Sequence, residues 1–291
     1  MNFLAITWNV DPVFFSIGSI HVRYYSLCFI LAFLISYVLF KRFFKDSGFK
    51  IELLDKLTFY YVIPATLIGA RLGHCLFYEP AYYLSHPFEI ILPFSNGEFV
   101  GFQGLASHGA AIGILIALIL YSRNKKISIL WLLDRIGIAV AVSGFFVRLG
   151  NLMNSEVYGV ETDLPWGFIF IRAGEVMPKH PTQLYEALSY LLIFAFLYWL
   201  YNKKRNVIKP GVLFGIFLVL LFTARFLIEY IKEVQVAFEE GLSLDMGQWL
   251  SLPFILLGLF TIFMSLKQKW PESFVKSAPT GNAKGGKQKK K

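Results

Sequence analysis

The chain has 291 residues, of which 56% are hydrophobic, 18% aromatic and only 16% charged, with a mean hydropathy of +0.57. Soluble domains do not reach such proportions, so a water-soluble globular fold is excluded and a polytopic, all-α membrane protein is expected. The net charge of +9 does not indicate nucleic acid, because no folded basic domain carries it.

A hydrocarbon core of about 30 Å takes about 20 helical residues to cross. Seven apolar runs approach that length: residues 24–40, 57–78, 105–121, 129–147, 184–201, 212–231 and 250–266. The first 22 residues hold no Lys or Arg, and Asp11 and Pro12 interrupt any apolar stretch. No cleavable signal peptide is expected, and the first run would itself serve as the insertion signal. Tyr25 opens that run, either as an interfacial aromatic or as a polar group of a site. Cys28 and Cys75 lie within runs one and two without CxxC spacing, which points to packing rather than a disulfide or metal site.

The second run carries Arg71, and the joint after it holds Tyr82, Tyr83, Phe88, Phe94 and Phe99, suggesting an interfacial element. Gly101, Gly104, Gly109 and Gly113 crowd the start of the third run. His108 stands there, either as a helix cap or as a proton acceptor near neutral pH. Asp134 and Arg135 near the beginning of the fourth run read as a self-paired, snorkelling duo. That run ends in Arg148, Gly150, Asn151, Asn154, Ser155, Glu156 and Gly159. On a helix Arg148, Asn151 and Ser155 share one face, where an anion can bind.

In the next joint Trp166, Phe168 and Phe170 alternate as a short strand does. Together the two long joints predict a small periplasmic head. Thr182 is placed to cap the fifth run, with Glu186 entering the bundle behind it. The sixth run holds Arg225 and, one turn on, Glu229, which either pair with each other or face a ligand. Residues 1–266 thus form one transmembrane domain, and residues 267–291 a basic, disordered tail against an anionic leaflet.

The joints at 41–56, 123–126 and 203–209 carry 5, 3 and 4 Lys or Arg, and the tail carries 8. The alternate joints are almost free of them, so the positive-inside bias puts the N-terminus outside and the C-terminus in the cytoplasm. Arg71, Arg148 and Arg225 then lie on three different runs at similar outer depth. An isolated Arg inside a membrane costs at least ~2.5 kcal/mol, so each needs a partner. A shared anion such as a lipid phosphate, gripped by guanidinium groups, accounts for all three.

The stretch Val147-Arg148-Leu149-Gly150-Asn151-Leu152-Met153-Asn154-Ser155-Glu156-Val157-Tyr158-Gly159 resembles the signature of the bacterial phosphatidylglycerol:prolipoprotein diacylglyceryl transferases. So do Asp11 to Gly18, Tyr24-Tyr25-Ser26-Leu27, Gly69-Ala70-Arg71-Leu72-Gly73, Ser107-His108-Gly109, His180 to Glu186, Arg225 to Glu229 and Met246-Gly247-Gln248, in family order over about residues 11–266. The resemblance implies an enzyme of the bacterial inner membrane with its active site toward the periplasm. It would move the diacylglyceryl group of phosphatidylglycerol onto the lipobox cysteine thiol of a prolipoprotein, forming a thioether and releasing glycerol phosphate. The implied partners are that lipid, the prolipoprotein signal peptide with its lipobox cysteine, and the bilayer; neither nucleic acid nor a metal or other cofactor is implied.

By the same resemblance His108, Arg148, Arg225, Tyr25 and Glu156 form the catalytic set, with His108 the candidate for thiol activation. The lipid-binding set is Arg148 and Arg225 with Asn151, Asn154, Arg71, Glu186, Glu229 and Gly159. Departures are Val147 for the usual Gly, Leu152 for Phe, Ala110 for a second Gly, His74 for Tyr and Lys232 where an Arg often lies. Val147 and Ala110 bear on the fit of the lipid, and Lys232 would lose bidentate phosphate geometry if it touched the lipid.

Two rival classes remain on the residues alone. A transporter would show polar groups along a path to both faces and an internal repeat, neither of which is visible. An intramembrane serine protease would use Ser143 in Ala141-Val142-Ser143-Gly144, one residue short of a nucleophile turn.

Overall fold

The computed structural model describes residues 5–18, 20–91, 94–95, 98–99, 104, 106–233 and 244–275. Gly101 and most of the predicted disordered tail, residues 276–291, lie outside the described residues. The described chain is mostly helical, with three short strand pairs. Among the described residues five helices are long and apolar enough to cross a membrane: α1 (Tyr24–Asp46), α7 (Ile129–Met153), α8 (Thr182–Lys204), α9 (Val212–Glu229) and α10 (Met246–Leu266).

The two other expected crossings are helical but less regular. In the first, α2 (Ile51–Lys56) is followed by a π-helical stretch, Leu57–Val62, and then by the 15 residues of α3 (Ile63–Phe77). Pro64 lies just inside α3; its ring clashes with the carbonyl four residues back and it donates no hydrogen bond, which favours a wider turn there. In the second, α6 (Ser107–Lys125) opens on Ser107-His108-Gly109 and closes on Arg123-Asn124-Lys125, so only its middle is continuously apolar.

The chain divides into two compact units, 1–40 with 133–270 and 41–132 with 271–291, with the divisions falling inside α1 and α7. In the second unit, α3 and α6 pack through bare glycines. A Cβ on Gly69 or Gly113 would run into backbone of the facing helix, and Gly73 meets Gly109 in the same way. Tyr121, fully buried, donates its hydroxyl to the Leu53 carbonyl at 2.8 Å. The joint after the second run, where an interfacial element was expected, folds as α4 (Pro80–Ser85), α5 (Phe88–Ile91) and a hairpin of β4 (Phe94–Ser95) with β5 (Glu98–Phe99).

In the first unit, α9 packs on α8 and on α10, with Gly215 against Gly258 at the latter crossing. Asp134 of α7 is 1% exposed and accepts the backbone N–H of Gly211 at 2.9 Å and of Phe214 at 2.8 Å. It therefore caps the start of α9, and Arg135 beside it is buried over the Tyr201 ring rather than snorkelling. The expected strand is present as β6 (Phe168–Phe170), and it pairs in parallel with β1 (Ile6–Trp8), which sequence reasoning missed. Phe168 and Phe170 are buried with Leu152 under Trp8, Tyr158 and Leu184, and Trp8 Nε1 donates to the Leu152 carbonyl at 3.0 Å. A second hairpin, β2 (Val13–Ile17) with β3 (Ile20–Arg23), leads directly into α1.

Candidate functional site

Helix α7 runs past the apolar stretch to Met153, which carries Arg148 and Asn151 on its last two turns. Their i, i+3 spacing brings them together as expected: Arg148 Nη1 donates to Asn151 Oδ1 at 3.1 Å. Ser155 does not continue that face. The helix has ended before it, and Ser155 and Val157 both take left-handed backbone, φ 54° and 62°. This turn swings Glu156 back over the helix end. Its Oε1 accepts hydrogen bonds from Asn151 Nδ2 at 2.8 Å and from Asn154 Nδ2 at 3.2 Å.

The turn is held from α8. Gln183 Nε2 donates to the Glu156 carbonyl at 2.7 Å, and Thr182 Oγ1 to the Val157 carbonyl at 2.8 Å. Thr182 is thus not the expected cap; it is the first helical residue, after Pro181, and its hydroxyl serves the turn instead. Gly159 lies where three segments cross. Its N–H donates to the His180 carbonyl at 2.8 Å, and a Cβ there would strike the Ile231 carbonyl, His180 and Thr182. Only glycine fits such a crossing.

One turn into α8, Glu186 is fully buried between two cations, Arg148 Nε at 2.5 Å and Lys232 Nζ at 3.2 Å. Neither contact is aligned as a hydrogen bond, so charge alone holds this carboxylate in place. Lys232, 7% exposed, also donates to Glu229 Oε2 at 3.1 Å. Glu229 is further confined by Gly247, where a Cβ would collide with its carboxyl group.

Arg225 has no ion pair among the described residues, and its Nε is buried without a hydrogen-bond partner. The pairing with Glu229 left open above is therefore not made. Tyr190, a residue sequence reasoning missed, packs its ring against bare Gly144 and lies within electrostatic reach of Arg148, Glu186 and Arg225. No signal in a single sequence marks this tyrosine among 15. Tyr25 approaches from α1: its ring covers Gly150, and it interacts electrostatically with Glu156 and Arg148.

The second unit holds the other two expected site residues. Arg71 donates Nη2 to the Glu89 carbonyl at 2.6 Å and Nε to the Ile90 carbonyl at 3.2 Å, with its guanidinium 4.8 Å from the Tyr83 ring centre. It ties α5 to α3. His108 is exposed at the second position of α6, and Ala106 rather than a side chain stands at the cap. Ser143 hydrogen bonds to Ser36 Oγ at 2.9 Å, which gives the protease reading a second hydroxyl where it needs a base.

Beyond the helices, Lys179 is surrounded by Glu233 at 3.0 Å, Glu175 at 3.4 Å and Glu161 at 3.8 Å. Burial opposes its charge, but the Glu233 and Glu175 carboxylates outweigh burial and raise its pKa above the ordinary lysine value. The His180 imidazole is pushed the other way, below its usual value, by burial.

Buried side-chain polar atoms without hydrogen-bond partners are few among the described residues, and nearly all belong to this one place. They are Asn154 Oδ1, Ser155 Oγ, Gln183 Oε1, both Glu186 oxygens and Arg225 Nε, with Arg135 Nε the exception. Folded proteins rarely leave such groups unmet unless a ligand meets them. An anion that accepts from guanidinium and hydroxyl donors suits the cationic part of that set.

Residues 12–264 match the family model described as "Prolipoprotein diacylglyceryl transferase". The chain is 42% identical over 271 residues to the phosphatidylglycerol–prolipoprotein diacylglyceryl transferase of Bacteroides fragilis, covering 91% of this chain and 97% of the relative. It is 45% identical over 263 residues to the protein of that name in Tolumonas auensis, covering 90% and 98%. With the one in Chloroherpeton thalassium it shares 45% over 264 residues, covering 90% and 95%.

Proposed function

The chain belongs to the prolipoprotein diacylglyceryl transferase family, and from that premise we propose that its Arg148 and Arg225 grip the phosphate of phosphatidylglycerol while a cysteine thiol takes the diacylglyceryl group. The protein is a membrane transferase of lipoprotein biosynthesis. The observation that carries the assignment of residues is the Arg225 guanidinium, which has no ion pair among the described residues and whose buried Nε has no hydrogen bond, together with the other buried polar atoms that lack partners.

In the step itself sulfur bonds to the glyceryl carbon, the carbon–oxygen bond to phosphate breaks, and its electron pair leaves with glycerol phosphate. The thiol proton passes to a base. A thiol with pKa about 8.5 needs such a base or a positive field to attack near neutral pH. Arg148 and Arg225 stabilise the charge that gathers on the departing phosphate. Tyr25, Asn151, Asn154 and Glu156 line the same end of α7, while Glu186, Glu229 and Gly159 fix its frame. His108 is proposed as the proton acceptor, and Arg71 as an outer contact for the lipid. The site faces the periplasm, and α3 with its π-helical lead-in and α6 complete seven crossings of the inner membrane.

The test is lipidation of a lipobox peptide by purified protein in vesicles of defined phosphatidylglycerol. Arg148→Ala and Arg225→Ala should each lower the rate about 100-fold or more, the cost of removing one charge-stabilising donor; the melting temperature should hold in Arg225→Ala and fall in Arg148→Ala, which leaves buried Glu186 with Lys232 alone. Either variant transferring at the parent rate sinks the assignment. His108→Gln should flatten the acidic limb of the pH–rate profile, and an unaltered profile removes His108 as the base.

A further inference from the structure

Helix α9 places Glu229 four residues after Arg225, the spacing at which ion pairs form on a helix surface. Yet Glu229 turns to Lys232 at 3.1 Å, and the Arg225 guanidinium has no carboxylate partner among the described residues. Three features enforce this choice. Lys232 is 7% exposed and its backbone is pinned by a bridge to Gly159, so its ammonium is fixed in place. That ammonium also takes Glu186 at 3.2 Å, leaving Glu186 fully engaged between Lys232 and Arg148. Gly247, at the first turn of α10, supplies the space that the Glu229 carboxyl group fills, next to a helix N-terminus that favours negative charge.

We infer that Lys232 is a positioning residue of the transfer reaction, holding Glu186 and Glu229 so that the Arg225 guanidinium stays free for the lipid phosphate. This rests on the reading of Arg225 as a phosphate ligand. Removing the ammonium leaves buried Glu186 and half-buried Glu229 without it, and a carboxylate that loses its partner seeks another cation. Arg148, within electrostatic reach of Glu229, is engaged by Glu186, which leaves Arg225, one turn back on the helix of Glu229. Lipid would then have to displace Glu229 before it could bind. A lysine performs this task as well as an arginine because it acts as a point charge between two carboxylates and requires no bidentate geometry.

The experiment compares Lys232→Met, Lys232→Arg and the double variant Lys232→Met with Glu229→Gln in the vesicle lipidation assay, varying phosphatidylglycerol and lipobox peptide separately. Lys232→Met should raise the KM for phosphatidylglycerol about tenfold or more, the range set by one charged hydrogen bond, while the KM for the peptide stays near the parent value. Adding Glu229→Gln removes the competing carboxylate and should lower the lipid KM about threefold or more below that of Lys232→Met, while Lys232→Arg, which keeps the charge, should hold it within about threefold of the parent. A parent-like lipid KM in Lys232→Met, or a double variant no better than the single, overturns the inference. If Lys232→Met does not accumulate, the charge-balanced double variant decides. It should fold, with a lipid KM raised less than about tenfold over the parent; failure to fold, or a lipid KM raised about tenfold or more, overturns the inference. Arg225→Ala separates the two readings: if it transfers lipid at the parent rate the phosphate assignment fails, whereas an inactive Arg225→Ala beside an unaffected Lys232→Met defeats the role of Lys232 alone.

Discussion

Val157 holds φ at 62°, in a region where a β-branched side chain crowds its own backbone. Such a residue costs on the order of 1–3 kcal/mol and persists only when its surroundings determine it. Here the determinants are the hydrogen bonds from Thr182 to Val157 and from Gln183 to Glu156. The strain is spent on placing Glu156 against Asn151 and Asn154. Val157→Gly should therefore raise the melting free energy by about 1 kcal/mol while lowering the transfer rate, because the turn no longer has a single preferred conformation. A thermal denaturation curve and the lipidation assay read both, and a loss of stability would show that Val157 packing outweighs the strain. At this scale the sequence was partly legible. The i, i+3 spacing of Arg148 and Asn151 announced their contact, but the helix stop before Ser155 carried no glycine to mark it. Lys232, three residues after Glu229, was as legible a partner as Arg225, four before it, and spacing alone did not choose between them; Gly247, which makes room for the carboxyl group, arrives from a later helix.

Among elements, α9 begins in a way that no local signal explains. Gly211 precedes it with φ 94° and no side chain of its own segment caps it; the cap comes from Asp134, 77 positions earlier. Asp134→Ala removes the acceptor for two backbone N–H groups in a buried setting and should destabilise the protein by about 2 kcal/mol or more. Detergent-solubilised protein would show this as a lowered melting temperature, and an unchanged value would mean that the N–H groups find another acceptor. The expected pairing of Asp134 with Arg135 is made, at 3.7 Å, but the sequence did not show that Asp134 also caps α9, because composition reveals charge but not who stands opposite. The start of α10 was legible in principle. Asp245 and Gln248 form a capping box that sets the helix at Met246, four residues before the apolar run begins. The π-helical stretch before α3 left only Pro64 as a clue.

For the whole molecule, the clustering of Lys and Arg into alternate joints remains the strongest guide to how the chain lies in the membrane. With Cys28 and Cys75 replaced by Ser, a cysteine at Glu161, which is 63% exposed, should react with a membrane-impermeant maleimide added to spheroplasts, whereas Lys125→Cys should react only after the membrane is opened. Labelling of Lys125→Cys in sealed spheroplasts would invert the orientation. Helix type and membrane character were readable from apolar runs alone. The strand pairing of β1 was not, because three residues near the start of a chain offer no period to count.

That pairing bears on the order in which the protein is made. Trp8 hydrogen bonds to Leu152, 144 positions away, and β1 lies alongside a strand that is synthesised later still. Residues 6–8 must leave the ribosome, remain unpaired while α1 to α7 are made, and close on their partner only after residue 170 has emerged. Closing so long a loop costs little more than closing a short one, since the entropy grows with the logarithm of length, but it comes late. The apolar cluster around Leu152, next in the chain to Asn151, is therefore among the last parts of this region to be completed, and it waits on a strand made before the first long helix.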